Sequence, residues 1–253
     1  MSKNIELDKF YTPIETSKFC VELMLKTFKF EISEFIEPSA GSGNFSKLVP
    51  NCIAYDIQPE DDSIIKADFL SLKIPYIKGR VIFGNPPFGD RNNLSVKFYK
   101  KSVQIADGIA FILPISQLNN SDSLFDFDLI ESVDLGVLSY SGMKIHCCFN
   151  IYQRPINGLN KKPNLKTDLF DIYREDYNGY ENIQYDFCIF RRGASSGKEK
   201  TKDIHTQTYK IVVTDKSKVQ FVKDKILNFD FKNFKKHQSA PSISKNDIYR
   251  LFK

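Results

Sequence analysis

The chain has 253 residues, 42% of them hydrophobic and 26% charged, with a formal net charge of +5. That composition is globular and supports one sizeable domain, or one domain with a small annex. It excludes a disordered or fibrous chain. No apolar run approaches the ~18 residues of a membrane-spanning helix, and residues 1–8 are polar without the apolar stretch of a secretory signal, so an intracellular, cytoplasmic protein with no membrane partner is expected.

The five cysteines, Cys20, Cys52, Cys147, Cys148 and Cys188, are odd in number and lack a CxxC spacing. Reduced, mostly buried thiols are expected, without a disulfide framework or zinc site. Cys147 and Cys148 are neighbours in a strand-like run and should point to opposite faces. His146, His205 and His237 are too scattered to form a ligand set, so no metal is expected. Charge is unevenly placed. Residues 1–150 carry 15 Lys+Arg and 19 Asp+Glu, a balance of −4; residues 151–253 carry 21 and 12, a balance of +9. The asymmetry suits a polyanionic partner engaged by the C-terminal part.

In chain order, Tyr11-Thr12-Pro13 precedes helical apolar spacing over residues 16–28, with Thr16 or Ser17 as the cap. Phe35-Ile36-Glu37 reads as a strand ending in Pro38-Ser39-Ala40-Gly41-Ser42-Gly43, followed by a short helix over residues 45–49. Gly41 and Gly43 allow positive φ and a close approach of backbone to ligand. The third glycine of the dinucleotide fingerprint is absent, and no Gly-Lys-Ser/Thr of a phosphate loop follows. Residues 52–57 read as a second strand. Asp56 ends it, where nucleotide-binding α/β folds place a carboxylate that accepts ribose hydroxyls. It lies 13 residues after Gly43, against ~20 in dinucleotide folds; the short helix accounts for the difference. Lys66-Ala67-Asp68-Phe69-Leu70 brings a third acidic group.

Val81-Ile82-Phe83-Gly84-Asn85-Pro86-Pro87-Phe88-Gly89 follows. A β-branched and aromatic run reads as a buried strand, and Gly84 ends it. Proline fixes its own φ and restricts the residue before it, so Asn85 and Pro86 are held extended. One amide, one stiff carbonyl and one ring suit a flat base with an exocyclic amino group. Residues 94–106 read as a helix and residues 108–114 as a fifth strand. Residues 125–131 read as a short helix, and residues 133–140 and 147–153 as an antiparallel pair closing the sheet. Beyond a loop at residues 157–168, residues 185–193 and 209–213 read as strands, residues 194–202 as a flexible segment, and residues 216–227 and 244–252 as helices. Lysines and phenylalanines interleave over residues 230–236. Alternating strands and helices predict a mostly parallel sheet with helices on both faces, and ligands beyond the strand C-termini. Glu37, Asp56, Asp68 and Asn85 all fall at such ends.

Asn85-Pro86-Pro87-Phe88 resembles motif IV of the amino-methyltransferases, the S-adenosylmethionine (SAM) enzymes that methylate adenine N6. Residues 8–13 resemble motif X of that family, residues 35–45 motif I, and residues 66–70 motif III. The motif order resembles the gamma group. The resemblance is clear over residues 8–114 and less distinct to residue 193; the last sixty residues match none of its motifs. It implies a class I SAM-methyltransferase, Rossmann-like α/β fold plus a small basic C-terminal region. Residues 1–155 would be the SAM-binding catalytic core. Residues 156–253 would hold closing strands and the nucleic-acid recognition region. SAM is the implied cofactor. Tyr11, Thr12 and Pro13 would lie against its methionine end, and Pro38, Ala40, Gly41 and Gly43 would wrap its amino-acid part. Glu37 would sit near its ammonium, and Asp56 on its ribose. Ile57, Asp68 and Phe69 would bound its adenine.

Asn85, Pro86, Pro87 and Phe88 would be the catalytic group, with Asn85 also bordering the cofactor. The implied activity is that of a site-specific adenine DNA methyltransferase, in a restriction-modification, phage or orphan setting at the nucleoid. Accepting hydrogen bonds from both N6 protons, at the Asn85 side chain and the Pro86 carbonyl, localises the nitrogen lone pair; Phe88 would stack on the everted base. Lysines and arginines hold phosphates while fewer groups read base edges; Arg191, Arg192, Lys161 and Lys162 are the candidates for backbone contact. The same loop also serves enzymes acting on adenine in RNA or on protein glutamine; the basic C-terminal half disfavours glutamine. A non-catalytic subunit of a methyltransferase pair is a further reading, and the short C-terminal part leaves room for a second subunit in sequence recognition.

Overall fold

A computed structural model describes residues 11–120, 122–140, 143–174, 183–200, 207–231 and 242–253. The chain divides into two units, Met1–Pro163 and Asn164–Lys253. In the first, the described residues form a seven-stranded sheet of β1 (Glu34–Glu37), β2 (Cys52–Asp56), β3 (Ile65–Lys66), β4 (Arg80–Gly84), β5 (Gly108–Pro114), β6 (Asp128–Tyr140) and β7 (Met143–Gln153). Their order is β3-β2-β1-β4-β5-β7-β6. The first five are parallel; β7 runs antiparallel between β5 and β6. This is the class I SAM-methyltransferase fold, a Rossmann-like mostly parallel sheet. The order reverses at β1 and β4, whose C-terminal ends open a crevice for a ligand.

Among the described residues, each face of the sheet carries one α-helix. On one, α1 (Ile14–Thr27) buries Cys20, Val21 and Met24 against Val81, Phe83 and Phe149. On the other, α2 (Asn93–Ile105) buries Phe98, Tyr99 and Val103 against Ile82, Ile109 and Phe111. Fully burying such a side chain is worth about 1.5–3 kcal/mol. Cys147 belongs to the first cluster and Cys148 to the second, as strand alternation requires. All five cysteines are free thiols.

Several local readings are corrected. Helix α1 starts at Ile14, not at residue 16 or 17. Pro13 is its N-cap and its carbonyl accepts from Ser17 N at 3.0 Å. The stiff proline closes the first turn without a side-chain cap, and Ser17 is buried. Residues 125–131 are not helical. Phe127 N donates to the Tyr99 hydroxyl at 2.9 Å, Lys100 pairs with Asp126, and β6 begins at Asp128 in register with Gln153. Tertiary pairing overrides local preference there. The short helix after the glycine turn is a single 3-10 turn, Ser46–Leu48.

In the second unit, β8 (Phe170–Arg174), β9 (Phe187–Phe190) and β10 (Thr208–Val213) form an antiparallel sheet of their own, in the order β8-β10-β9. Helices α3 (Val219–Leu227) and α4 (Lys245–Arg250) pack apolar residues on it, including Val222, Ile226 and Ile248. Ser244 and Asp247 form a reciprocal capping box at the start of α4. Strand β8 was not anticipated; the strands that close the large sheet, β6 and β7, both lie before residue 155. Residues 8–10 of the motif X stretch, 201–202 of the flexible segment and 232–236 of the lysine–phenylalanine run lie outside the described residues, as do His205 and His237.

Candidate active site

The site is built from strand ends. Backbone beyond the last residue of a parallel strand loses its ladder partners, so side chains and loop amides there turn toward a common crevice. Glu37, Asp56, Asp68 and Asn85 all line one cavity of about 460 Å³ at this edge. Its size lies within the range of small-molecule sites.

Glu37 ends β1. It is 2% exposed, and its carboxylate accepts from Ser46 N at 2.8 Å. Burial pushes its carboxyl up to about 8; the Ser46 backbone and hydroxyl oppose this, and the Asp56 charge adds to it. Gly84 ends β4 at φ 128, and a Cβ there would lie 3.2 Å from Glu37 Cγ. Only glycine lets the two strand ends approach this closely without strain.

Asp56 ends β2. One carboxylate oxygen accepts from Gly41 N at 2.8 Å and the other from Gln58 N at 2.7 Å. Two backbone amides fix the carboxylate, and each oxygen keeps a second lone pair. Gly41 sits at φ 55, where a Cβ would touch the Tyr11 ring at 3.4 Å. The Tyr11 hydroxyl donates to Glu60, tying residue 11 across the glycine turn. Asp68 is exposed and closes a turn by accepting from Leu70 N at 3.0 Å on one carboxylate oxygen. Phe69 is buried and stacks on Phe98 at 5.7 Å, while Ile57 stands at the rim, 45% exposed.

The Asn85–Phe88 loop is held by its carbonyls. Ser39 Oγ donates to Asn85 O at 3.3 Å, Ser95 Oγ to Pro87 O at 3.1 Å, and Leu94 N to Phe88 O at 3.1 Å. Among the described residues none donates to the Pro86 carbonyl. The Asn85 side chain donates from Nδ2 to Thr12 Oγ1 at 3.1 Å, while its Oδ1 is buried without a hydrogen-bond partner. The rigid loop therefore holds two unmatched acceptors on adjacent residues.

Of the other expected residues, Tyr11, Thr12, Pro38, Ala40, Gly41 and Pro87 line the cavity. Gly43, at φ 80, turns the loop beneath Lys47 and Ser46. Pro13 caps α1, Pro86 is buried between the two cavity-lining residues Asn85 and Pro87 but does not itself line the cavity, and Phe88, also outside the lining, packs half-buried against the α1-side core. Lys161 and Lys162 are exposed in the first unit. In the second, Arg192 is exposed but Arg191 is 7% exposed, so its side chain is not offered to a phosphate. Residues not anticipated include Asn44, whose Nδ2 donates to Thr12 O at 2.9 Å, and Leu94 and Phe98 on the cavity wall. The last two lie four residues apart on α2, directly after the loop, and that helical spacing was a usable signal.

No family model matches the chain, and no curated protein matches it. Solved structures similar to it include a Pyrococcus horikoshii protein described as a candidate RNA methyltransferase (TM-score 0.49, 14% identity, 61% of this chain and 91% of that one). Another is the 23S rRNA methyltransferase ErmE (TM-score 0.45, 12% identity, 60% and 72%). A third is a modification subunit of a candidate type I restriction enzyme from Vibrio vulnificus (TM-score 0.44, 15% identity, 68% and 48%). The fold class rests on strand order and register.

Proposed function

We propose that this protein is a SAM-dependent methyltransferase acting on the exocyclic N6 of adenine in DNA. The observation that carries the proposal is the pair of unmatched acceptors, Asn85 Oδ1 and the Pro86 carbonyl, on a stiff loop beside a cavity lined by Asp56 and Asp68. An amide oxygen buried without a partner costs about 1–3 kcal/mol. A substrate that brings two N–H donors on one nitrogen removes that cost.

SAM fits the cavity by volume, by the glycine turn at Gly41 and by the donor set. Asp56 would take the ribose hydroxyls on its spare lone pairs, Asp68 the adenine amino group, and Glu37 the ammonium. Bound there, SAM supplies a methyl group already activated by a positively charged sulfur. The chain's own contribution is positional and electrostatic. Asn85 Oδ1 and Pro86 O accept from the two amine protons, which favours a pyramidal nitrogen with its lone pair localised. A target base in a duplex must first be everted, at a cost of a few kcal/mol. Phe88 would offer its ring to that base only by leaving part of its packing against the α1-side core.

Among the described residues no helix is long and apolar enough to cross a membrane, and no group of three His, Cys, Asp or Glu is placed to hold a metal ion. Lys161, Lys162 and Arg192 are exposed and are proposed as phosphate contacts. Brief recognition, loose specificity or a second subunit that assists recognition are each compatible with this proposal. Incubation with methyl-labelled SAM and DNA, RNA or protein tests the reading. Label in DNA, recovered as N6-methyladenine, is expected. N6-methyladenine in RNA alone would move the substrate to RNA, and label on protein would refute the adenine reading.

A further inference from the structure

Residues 216–227, which include helix α3 of the second unit, carry four lysines and one acid. Three of the lysines have acidic partners. Lys216 pairs with Asp186 at 2.6 Å, Lys218 with Asp215 at 3.9 Å and Lys223 with Glu199 at 2.6 Å. The acid, Asp224, accepts from Gln220 at 2.8 Å. Lys225 is held differently. It is exposed, and its Nζ lies over two rings, 4.9 Å from the centre of Phe252 and 5.8 Å from that of Phe221. A ring attracts a cation through its quadrupole and does not neutralise it, so this charge still draws an anion.

Phe221 is 55% exposed. Residues three and four apart on a helix are surface neighbours, so Lys218, Phe221 and Lys225 follow one another along α3, while Val222 and Ile226 take the buried side. Phe221 is anchored from behind. Its ring meets Phe252 edge-on at 6.3 Å, and Phe252 meets Phe170 at 4.9 Å. Phe170, 1% exposed, stacks on Tyr249 at 5.6 Å. The exposed ring is the outer end of an aromatic row rooted in the core of its unit. One exposed phenylalanine is ordinary on a protein surface. The row behind Phe221 and the charged lysine beside it set this one apart: together they offer a rigid ring for a base and a cation for its phosphate.

We propose that the Phe221–Lys225 face binds an unpaired stretch of a nucleic-acid strand, with Phe221 stacking on a base and Lys225 holding a phosphate. An unpaired base is required because a duplex keeps its base faces covered by their neighbours. The proposal rests on the reading that the substrate is a nucleic acid, and adds a contact made by residues outside the catalytic cavity. Residues 164–253 carry 18 basic and 12 acidic residues, which favours a polyanion over an acid-poor protein surface as the occupant. DNA and RNA strands share the chemistry required.

The chain contains no tryptophan, so Phe221→Trp puts its only indole at the proposed contact. The full-length variant is titrated with DNA and RNA strands of about 12 nucleotides, within the usual span of single-strand sites, and with a blunt duplex. Either strand should quench the indole, the duplex much less; the strand that does so at lower concentration identifies the source. Fluorescence anisotropy with labelled strands then compares further variants. Phe221→Ala should weaken binding about tenfold without changing its salt dependence, and Lys225→Gln should lower the slope of log K against log salt by about 0.7. Phe221→Leu keeps an apolar side chain against Phe252 without a flat ring, and should bind as weakly as Phe221→Ala. Strand binding without quenching, equal quenching by the duplex, or wild-type affinity in Phe221→Leu overturns the proposal. So does a wild-type protein that binds no strand, including one whose self-association Phe221→Ala abolishes, since the face is then a protein contact. Methyl labelling judges the methyltransferase reading separately: a protein that methylates nucleic acid yet shows no quenching loses this face alone.

Discussion

The two edges of the large sheet are built on opposite rules. At the N-terminal edge every strong polar group named here is matched. Arg80, 3% exposed at the start of β4, donates to Glu34 at 2.5 Å, to Ile105 O at 3.0 Å and to Pro75 O. Asp107, just before β5, accepts from Tyr76 at 2.9 Å and Gly79 N at 2.8 Å, and pairs with Arg154 at 3.0 Å. At the C-terminal edge, a few residues along the same strands, the Asn85 oxygen is buried and unmatched, and an acid is held nearly out of water. A buried polar group without a partner is tolerated where something else supplies the partner. The matched edge contributes stability; the unmatched edge is where chemistry is placed.

That contrast is breakable by substitution. Asn85→Ala should reduce methyl transfer by at least about 10²–10³-fold, the scale for losing one preorganised polar group. Stability, followed by urea denaturation, should change by less than about 1 kcal/mol. Arg80→Ala should do the reverse. Breaking a buried, multiply bonded ion pair costs about 3–5 kcal/mol; the remaining folded protein, assayed at low temperature, should keep its specific activity. If Asn85→Ala unfolds the protein, or Arg80→Ala abolishes activity in folded material, the two edges are not separate in role.

Asp56→Ala sharpens the account within the C-terminal edge. Two hydrogen bonds to a charged group are at stake, so SAM affinity should weaken about 10–100-fold by calorimetry. An unchanged affinity removes Asp56 from the ribose. A different readout, stability against pH, concerns Glu37. Its carboxyl titrates near 8 when folded, raised chiefly by burial, against 4.5 unperturbed. The folded state therefore holds the extra proton between those values, and relative stability falls as pH rises through that window. Glu37→Gln should flatten this slope between about pH 4.5 and pH 8. A slope that persists unchanged in the variant would mean other groups set it.

Much of the first unit was legible in the sequence, because its strands are short apolar runs punctuated by glycine and proline. Val81–Phe83 before Gly84, and Ile109–Leu113 before Pro114, mark their own ends. The strand-end positions of Glu37, Asp56 and Asn85 followed from the same punctuation. What stayed hidden depends on distant partners. Strand β8 buries only Phe170 and Ile172 in five residues, too weak a pattern to separate from the loop before it. The start of β6 is set by pairing with β7, across the hairpin. Arg191 and Arg192 look alike in sequence, yet just past the end of β9 the first is buried and the second exposed. The Asn44–Thr12–Asn85 contacts join residues up to 73 positions apart, and no local pattern announces them.

The most direct test of the central claim is a crystal structure of the protein with a non-reactive SAM analogue and adenine-containing duplex DNA. An everted adenine should place N6 within about 3.2 Å of both Asn85 Oδ1 and the Pro86 carbonyl. An adenine left stacked in the duplex, or Asn85 Oδ1 engaged by the protein's own donors in that complex, would contradict it.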